Sequence, residues 1–155
     1  MSADPQRRFI DTNVLVYAYD PSVRWKHERA MALVGGFWDS GAGCISIQVL
    51  QEFYVTVTRK LSIGLPQETA AQIVDDLSTW HVHSPDAQDV LRAIDIECRY
   101  KISFWDAMII RSALRLQCEV ILSEDLSSGG VYDGITVINP FTTGFVAEKP
   151  AGYSR

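Results

Sequence analysis

Short apolar runs alternate along the chain with longer stretches whose apolar residues recur at helical spacing. Arg8-Phe9-Ile10 is a strand-like run that ends at Asp11. Thr12 or Asn13 can cap a helix beginning Val14-Leu15-Val16-Tyr17, which Asp20-Pro21 breaks. Over about residues 26–38, Ala30, Leu33, Val34 and Phe37 keep helical spacing, and Gly41-Ala42-Gly43 turns the chain into a second strand, Cys44-Ile45-Ser46. Ile47, Leu50, Phe53, Tyr54, Val57 and Leu61 form the next helical stripe; Gly64-Leu65-Pro66 ends it and places a proline in the first turn of a helix carrying Ile73, Leu77 and Trp80.

His81-Val82-His83 reads as an extended link. Ser84-Pro85 then caps and opens a helix bearing Val90, Leu91, Ile94 and Cys98, and Ser103 opens another through Ala107, Ile110 and Leu114. Val120-Ile121-Leu122 is a buried strand and Ile135-Thr136-Val137-Ile138 the last one, with Gly129-Gly130 a turn between them. Strands separated by helices predict an α/β layer fold with a mainly parallel sheet. The pattern places one domain at residues 1–141 and a C-terminal tail at 142–155.

With 155 residues, 47% of them hydrophobic, the chain has material for one core and is a poor fit to two domains. No apolar run approaches the roughly 18 residues of a membrane span, and the first eight residues lack the apolar core of a signal peptide, so a cytoplasmic location is expected. Cys44, Cys98 and Cys118 are odd in number and widely spaced, which predicts buried thiols rather than a zinc site or disulfides. Of Trp25, Trp38, Trp80 and Trp105, at least two are expected in the core.

In parallel α/β folds ligands sit beyond the carboxyl ends of the strands, which gives weight to polar residues just after strands. Asp11 and Asp125 hold that position, while Glu52 and Asp106 fall in early turns of helices that can face the same rim. Four converging carboxylates repel one another, and a hard divalent cation relieves the conflict. Mg²⁺ or Mn²⁺ on such oxygens suits phosphodiester hydrolysis, with Thr12, Asn13 and Ser123 orienting the ligands from behind.

Each acid also has a plainer reading. Asp11 fits a capping turn, Glu52 a solvated helix position, Asp106 the Ser-x-x-acid capping pattern with Ser103, and Asp125 a turn in which Glu124 is the rival ligand. The net charge of −5 lacks the basic footprint of a nucleic-acid binder, an objection that weakens where bound cations reverse the local field. Arg7, Arg8, Arg24, Lys26, Arg59 and Lys60 read equally as flanks of a groove or as scattered surface charge. The three histidines suit structural roles, and neither serine-triad chemistry nor a glycine-rich nucleotide loop is present.

Taken together, these segments resemble a known family. Phe9-Ile10-Asp11-Thr12-Asn13-Val14-Leu15 resembles the opening motif of PIN domains. Ser46-Ile47-Gln48-Val49-Leu50-Gln51-Glu52-Phe53 resembles the segment with their second acid, Ile102-Ser103-Phe104-Trp105-Asp106-Ala107 the third, and Ile121-Leu122-Ser123-Glu124-Asp125-Leu126 the fourth. The match runs in order across about residues 8–140 and is specific as a set; it is nearest to the VapC-type toxins of bacterial toxin–antitoxin pairs. The resemblance implies a three-layer fold with a five-stranded parallel sheet flanked by helices, Mg²⁺- or Mn²⁺-dependent cleavage of RNA, and a homodimer. It also implies a cognate antitoxin that covers the acidic groove and can place an arginine among the carboxylates. Many relatives carry a further acid two residues after the fourth, where this chain has Ser127, which implies one firmly bound ion and a second recruited by substrate.

Two other classes compete. A catalytically silent binding module of the same fold would have no need to tolerate the repulsion of four acids. A phosphotransfer protein using Asp11 would need a lysine close by, and none follows the strand ends.

Overall fold

A computed structural model describes residues 6–127 and 129–142. The elements run β1 (Arg8–Ile10), α1 (Thr12–Tyr17), α2 (Arg24–Ser40), β2 (Gly43–Ser46), α3 (Ile47–Arg59), α4 (Gln67–Leu77), β3 (His81–His83), α5 (Ala87–Tyr100), α6 (Phe104–Arg115), β4 (Val120–Leu122), β5 (Val131–Tyr132) and β6 (Ile135–Ile138). The sheet order is β3-β2-β1-β4-β6-β5. Five strands are parallel, as expected, and a sixth, β5, adds antiparallel to β6.

The sheet core is built from short, fully buried strands. Phe9, Ile10, Cys44, Ile45, Ile121, Leu122 and Val137 are all inaccessible to solvent, as parallel strands covered by helices require. Burial of each large side chain such as Phe9 or Phe53 contributes about 2–3 kcal/mol. The register decides the site. Ile10 lies opposite Leu122, so the residues that follow, Asp11 and Ser123, leave the sheet side by side.

Several expectations are corrected. Asp11 itself, not Thr12 or Asn13, caps α1, accepting from the Thr12 backbone amide. Pro66 is the cap of α4 rather than part of its first turn. The supposed link His81-Val82-His83 is a strand, paired with β2 at the sheet edge. The start of α5 is set by Asp86, not Ser84-Pro85, through a reciprocal capping box with Asp89.

The largest difference is the face that α5 buries. Val90, Leu91, Ile94 and Cys98 point to solvent, whereas Asp89, Ala93 and Ile96 point inward. A buried acid interrupts the true core stripe and hides it from a count of apolar residues. Cys98 is therefore exposed while Cys44 and Cys118 are buried. Trp25, Trp38 and Trp105 are exposed and Trp80 is half-buried against the core, so the expectation of two core tryptophans fails. Leu61, placed on the α3 stripe, lies beyond the helix end and is fully exposed.

Strand β5 comes from a two-residue hairpin. Asp133 and Gly134 both have positive φ, 51° and 88°, which is the backbone such a turn needs next to a twisted antiparallel pair. Arg99 grips both carboxylate oxygens of Asp133 at 2.7 Å and Tyr100 adds a third hydrogen bond. The predicted tail lies outside the described residues from position 143 onward.

Candidate active site

Asp11 is buried where β1 gives way to α1. Its Oδ1 accepts from the Thr12 amide at 2.8 Å, and its Oδ2 accepts from the Ser123 hydroxyl at 2.8 Å and the Asn13 carboxamide at 3.2 Å. Its pKa is raised to about 6: burial pushes it up most, the Ser123 and Thr12 hydrogen bonds oppose that, and the negative charges of Glu52 and Asp106 add to it. A carboxylate so placed carries charge without a countercharge among the described residues.

The other three acids arrive by separate routes. Ser46 caps α3 by accepting from Val49, which fixes the first turns of the helix; Glu52 follows, exposed, with Thr12 donating to it at 2.8 Å and Gln48 at 3.0 Å. Ser103 caps α6 by accepting from the backbone of Asp106 itself at 3.0 Å, so capping leaves the half-buried Asp106 carboxylate unused. Asp125 is exposed beyond β4 and accepts from Asn13 at 3.2 Å. Asn13 thus touches Asp11 and Asp125 with one amide group, while its oxygen accepts from the Glu124 backbone at 2.9 Å.

All four acids, with Thr12 and Asn13, line one cavity of about 700 Å³. Ser123 sits behind the wall, fully buried. Among the described residues, no three His, Cys, Asp or Glu side chains stand close enough to share one ion. The acids therefore share a cavity without closing on a common point. Their chemistry nevertheless fits a hard cation: the four acids offer oxygen donors, Asp11 has no countercharge among the described residues, and Mg²⁺ commonly uses only one or two carboxylates beside its waters.

Neighbouring charges were harder to anticipate. The rival acid Glu124 also lines the cavity but is engaged by Lys26 at 2.6 Å and Tyr17 at 3.3 Å, which leaves Asp125 as the freer carboxylate of the pair. A lysine does reach the cavity wall, from the end of a helix rather than from a strand end. It is Lys60, at the end of α3, and its ammonium is held by the fully buried Asp20 at 2.6 Å. Gln48, not singled out in the sequence, bonds Glu52 and the Trp105 carbonyl; its position one turn before Glu52 was the available signal.

A model of the PIN domain family matches residues 8–127, and the chain belongs to that family. Solved structures that it resembles include a VapC toxin and VapBC complexes. Mycobacterium tuberculosis VapC20, a toxin that cleaves the sarcin–ricin loop, superposes with a TM-score of 0.61 at 19% identity, over 77% of this chain and 91% of that one. A toxin–antitoxin complex from Klebsiella pneumoniae gives 0.61 at 21% identity, over 86% and 98%. DNA-bound VapBC from Salmonella typhimurium gives 0.58 at 20%, over 86% and 97%. At these identities the likeness is one of fold. No curated protein sequence shows a significant match to the chain.

Proposed function

We propose that this protein is a divalent-metal-dependent endoribonuclease and the toxin half of a toxin–antitoxin pair. The observation that carries the reading is the state of Asp11: a buried carboxylate whose proton affinity is raised by desolvation and by two further acids on the same cavity. Folding a chain around such a group is costly unless a cation completes it.

In this reading Asp11, Glu52, Asp106 and Asp125 would hold Mg²⁺ or Mn²⁺. The ion would supply a more acidic bound water and neutralise charge building on the phosphoryl oxygens. The chain's own part is positioning. Ser123 and the Thr12 amide fix the two oxygens of Asp11, Asn13 holds Asp125 next to it, and Thr12 with Gln48 fixes Glu52. With Ser127 in place of a further acid, one firmly held ion is the expected complement. The resident negative charge would then serve the metal rather than repel RNA.

The partner is a cognate antitoxin, a reading supported by neighbours that are themselves toxin–antitoxin complexes. An arginine from that partner would match the carboxylates geometrically and displace the cation. A homodimer belongs to the same reading, with Val90, Leu91 and Ile94 of α5 exposed for it. Among the described residues no helix is long and apolar enough to cross a membrane, and a cytoplasmic site of action is part of the proposal.

The test is direct. Purified protein freed of any partner should cut RNA with Mg²⁺ or Mn²⁺ and stop when a chelator is in excess. Undiminished cleavage in chelator would overturn the metal-dependent reading, and RNA bound but left intact in both metals would favour a silent binding module.

A further inference from the structure

The three thiols of the chain are placed unequally. Cys98 is exposed on α5, whereas Cys44 and Cys118 are buried, and these two share a hydrogen bond although they come from distant parts of the sequence. Cys44 belongs to β2, with its Sγ 3.6 Å from the Ala42 carbonyl. Cys118 is brought to it by the end of α6. Gln117 takes a left-handed φ of 60°, and the Cys118 amide donates back to the Ala113 carbonyl at 3.0 Å, a reverse turn that commonly closes a helix.

Buried thiols in apolar surroundings are inert, but this pair has polar company. Arg7 reaches the same corner, donating to the Leu116 carbonyl at 3.4 Å, and its positive charge favours the ionised form of either sulfur. The hydrogen bond from Cys118 lowers the Cys44 pKa against the opposing effect of burial, while the same bond, burial and the charge of Cys44 hold the Cys118 thiol well above its usual range. One sulfur is thereby prepared as a nucleophile and the other as its proton donor. Arg7 and Gln117 also line a polar cavity of about 640 Å³ at this end of the molecule, wide enough to admit a small oxidant.

We propose that Cys44 and Cys118 are a redox-active dithiol, which a hydroperoxide converts to an internal disulfide that clamps β2 to the end of α6. Cys44 gives up its proton and its sulfur attacks one peroxide oxygen; the O–O bond breaks, water leaves, and Cys44 becomes a sulfenic acid. The Cys118 sulfur then attacks the Cys44 sulfur. The S–O bond breaks as the S–S bond forms, and the hydroxide leaves with the Cys118 proton as a second water. The two thiols lose two electrons in all, and the peroxide takes them up. Because the bond encloses α3 to α6, it restricts a long stretch of the unfolded chain and so stabilises the fold. Cys118 precedes β4, whereas Asp125 follows it, so the clamp closes at the other end of the sheet from the acids and does not depend on the ribonuclease reading.

The experiment uses the full chain carrying Cys98→Ser, which leaves the two buried thiols alone. Folded, reduced protein is treated with hydrogen peroxide, quenched, and unfolded in the presence of N-ethylmaleimide. Mass spectrometry should find neither thiol alkylated, a mass lower by two hydrogens, and a crosslinked peptide joining Cys44 to Cys118; dithiothreitol should return both thiols. The oxidised protein should unfold at a higher urea concentration than the reduced one. Adding Cys118→Ser, which keeps a donor beside Cys44, should stop the reaction at a Cys44 sulfenic acid captured by dimedone, and faster than Cys118 is captured when Cys44→Ser is added instead. Two alkylated thiols after peroxide, sulfinic acid in place of the crosslink, or a bond between two chains overturns the inference. An unchanged or lower urea midpoint overturns the clamp, and faster capture at Cys118 overturns the assignment of Cys44 as the attacking sulfur.

Discussion

Asp11 and Asp89 are both buried acids, and the protein treats them in opposite ways. Asp89 is surrounded by donors: Arg111 at 2.8 Å and Arg115 at 3.0 Å on one oxygen, the Asp86 amide at 3.0 Å and His83 at 3.1 Å on the other. Burial alone would raise its pKa, but the Asp86 and Arg111 hydrogen bonds and the charges of His83 and Arg115 hold it well below the usual carboxylate range. Asp11 has three neutral donors and two acids for neighbours, and its pKa rises to about 6. One acid is completed by cations within the chain; the other, among the described residues, is not. Burial alone therefore says nothing about function, whereas the sign of the surroundings does.

The contrast can be tested from its strongest side first. Asp89→Ala removes the countercharge shared by Arg111 and Arg115 and should cost about 3 kcal/mol in a urea titration. That is the low end for a broken buried pair, because Arg115 is nearly half exposed and screened by water. A loss below about 1 kcal/mol would show that Asp89 is not the structural clamp its partners make it.

Asp11 should act in the other direction. Its folded pKa lies above the ordinary value of 3.8, so its contribution to stability is complete below 3.8 and is lost as pH rises through about 6. His83, whose pKa is lowered chiefly by burial, slopes oppositely below its ordinary value of 6.5, so the informative quantity is the difference between two proteins. In chelator, Asp11→Asn should gain on wild type by about 2 kcal/mol between pH 4 and pH 7, while RNA cleavage with Mn²⁺ falls below detection. A pH-independent difference would mean that Asp11 carries no unrelieved charge.

The smallest effect concerns Ser123. Its hydroxyl is one of the groups holding the Asp11 pKa down, so Ser123→Ala should raise the Asp11 titration midpoint by about one pH unit, read by NMR on metal-free protein. No movement would assign the low-lying influence to Thr12 and Asn13 instead.

The two regions also differ in how far the sequence reveals them. Acids directly after apolar runs are visible as a pattern, and Asp11 and Asp125 follow β1 and β4 as read. Ser46 and Ser103 before helical stripes are visible for the same reason: capping is local chemistry. Asp89 was invisible because its partners come from β3 and from the far end of α6, and no periodicity reports a contact between them. Its presence on the inward face of α5 made the solvent-facing Val90, Leu91 and Ile94 look like the core stripe. Strand β5 was different: Asp133-Gly134 between apolar residues is a hairpin signal that short-range rules can read, obscured by strands of two and four residues. The convergence of four acids on one cavity depends on the parallel register of β1 with β4, which only the assembled sheet displays.

The ends of that sheet have a consequence for handling the protein. Its outer strands, β3 and β5, are three and two residues long, so few peptide groups remain open to a strand from another molecule. Short borders of this kind discourage edge-to-edge aggregation, the hazard that accompanies flat parallel sheets during overproduction.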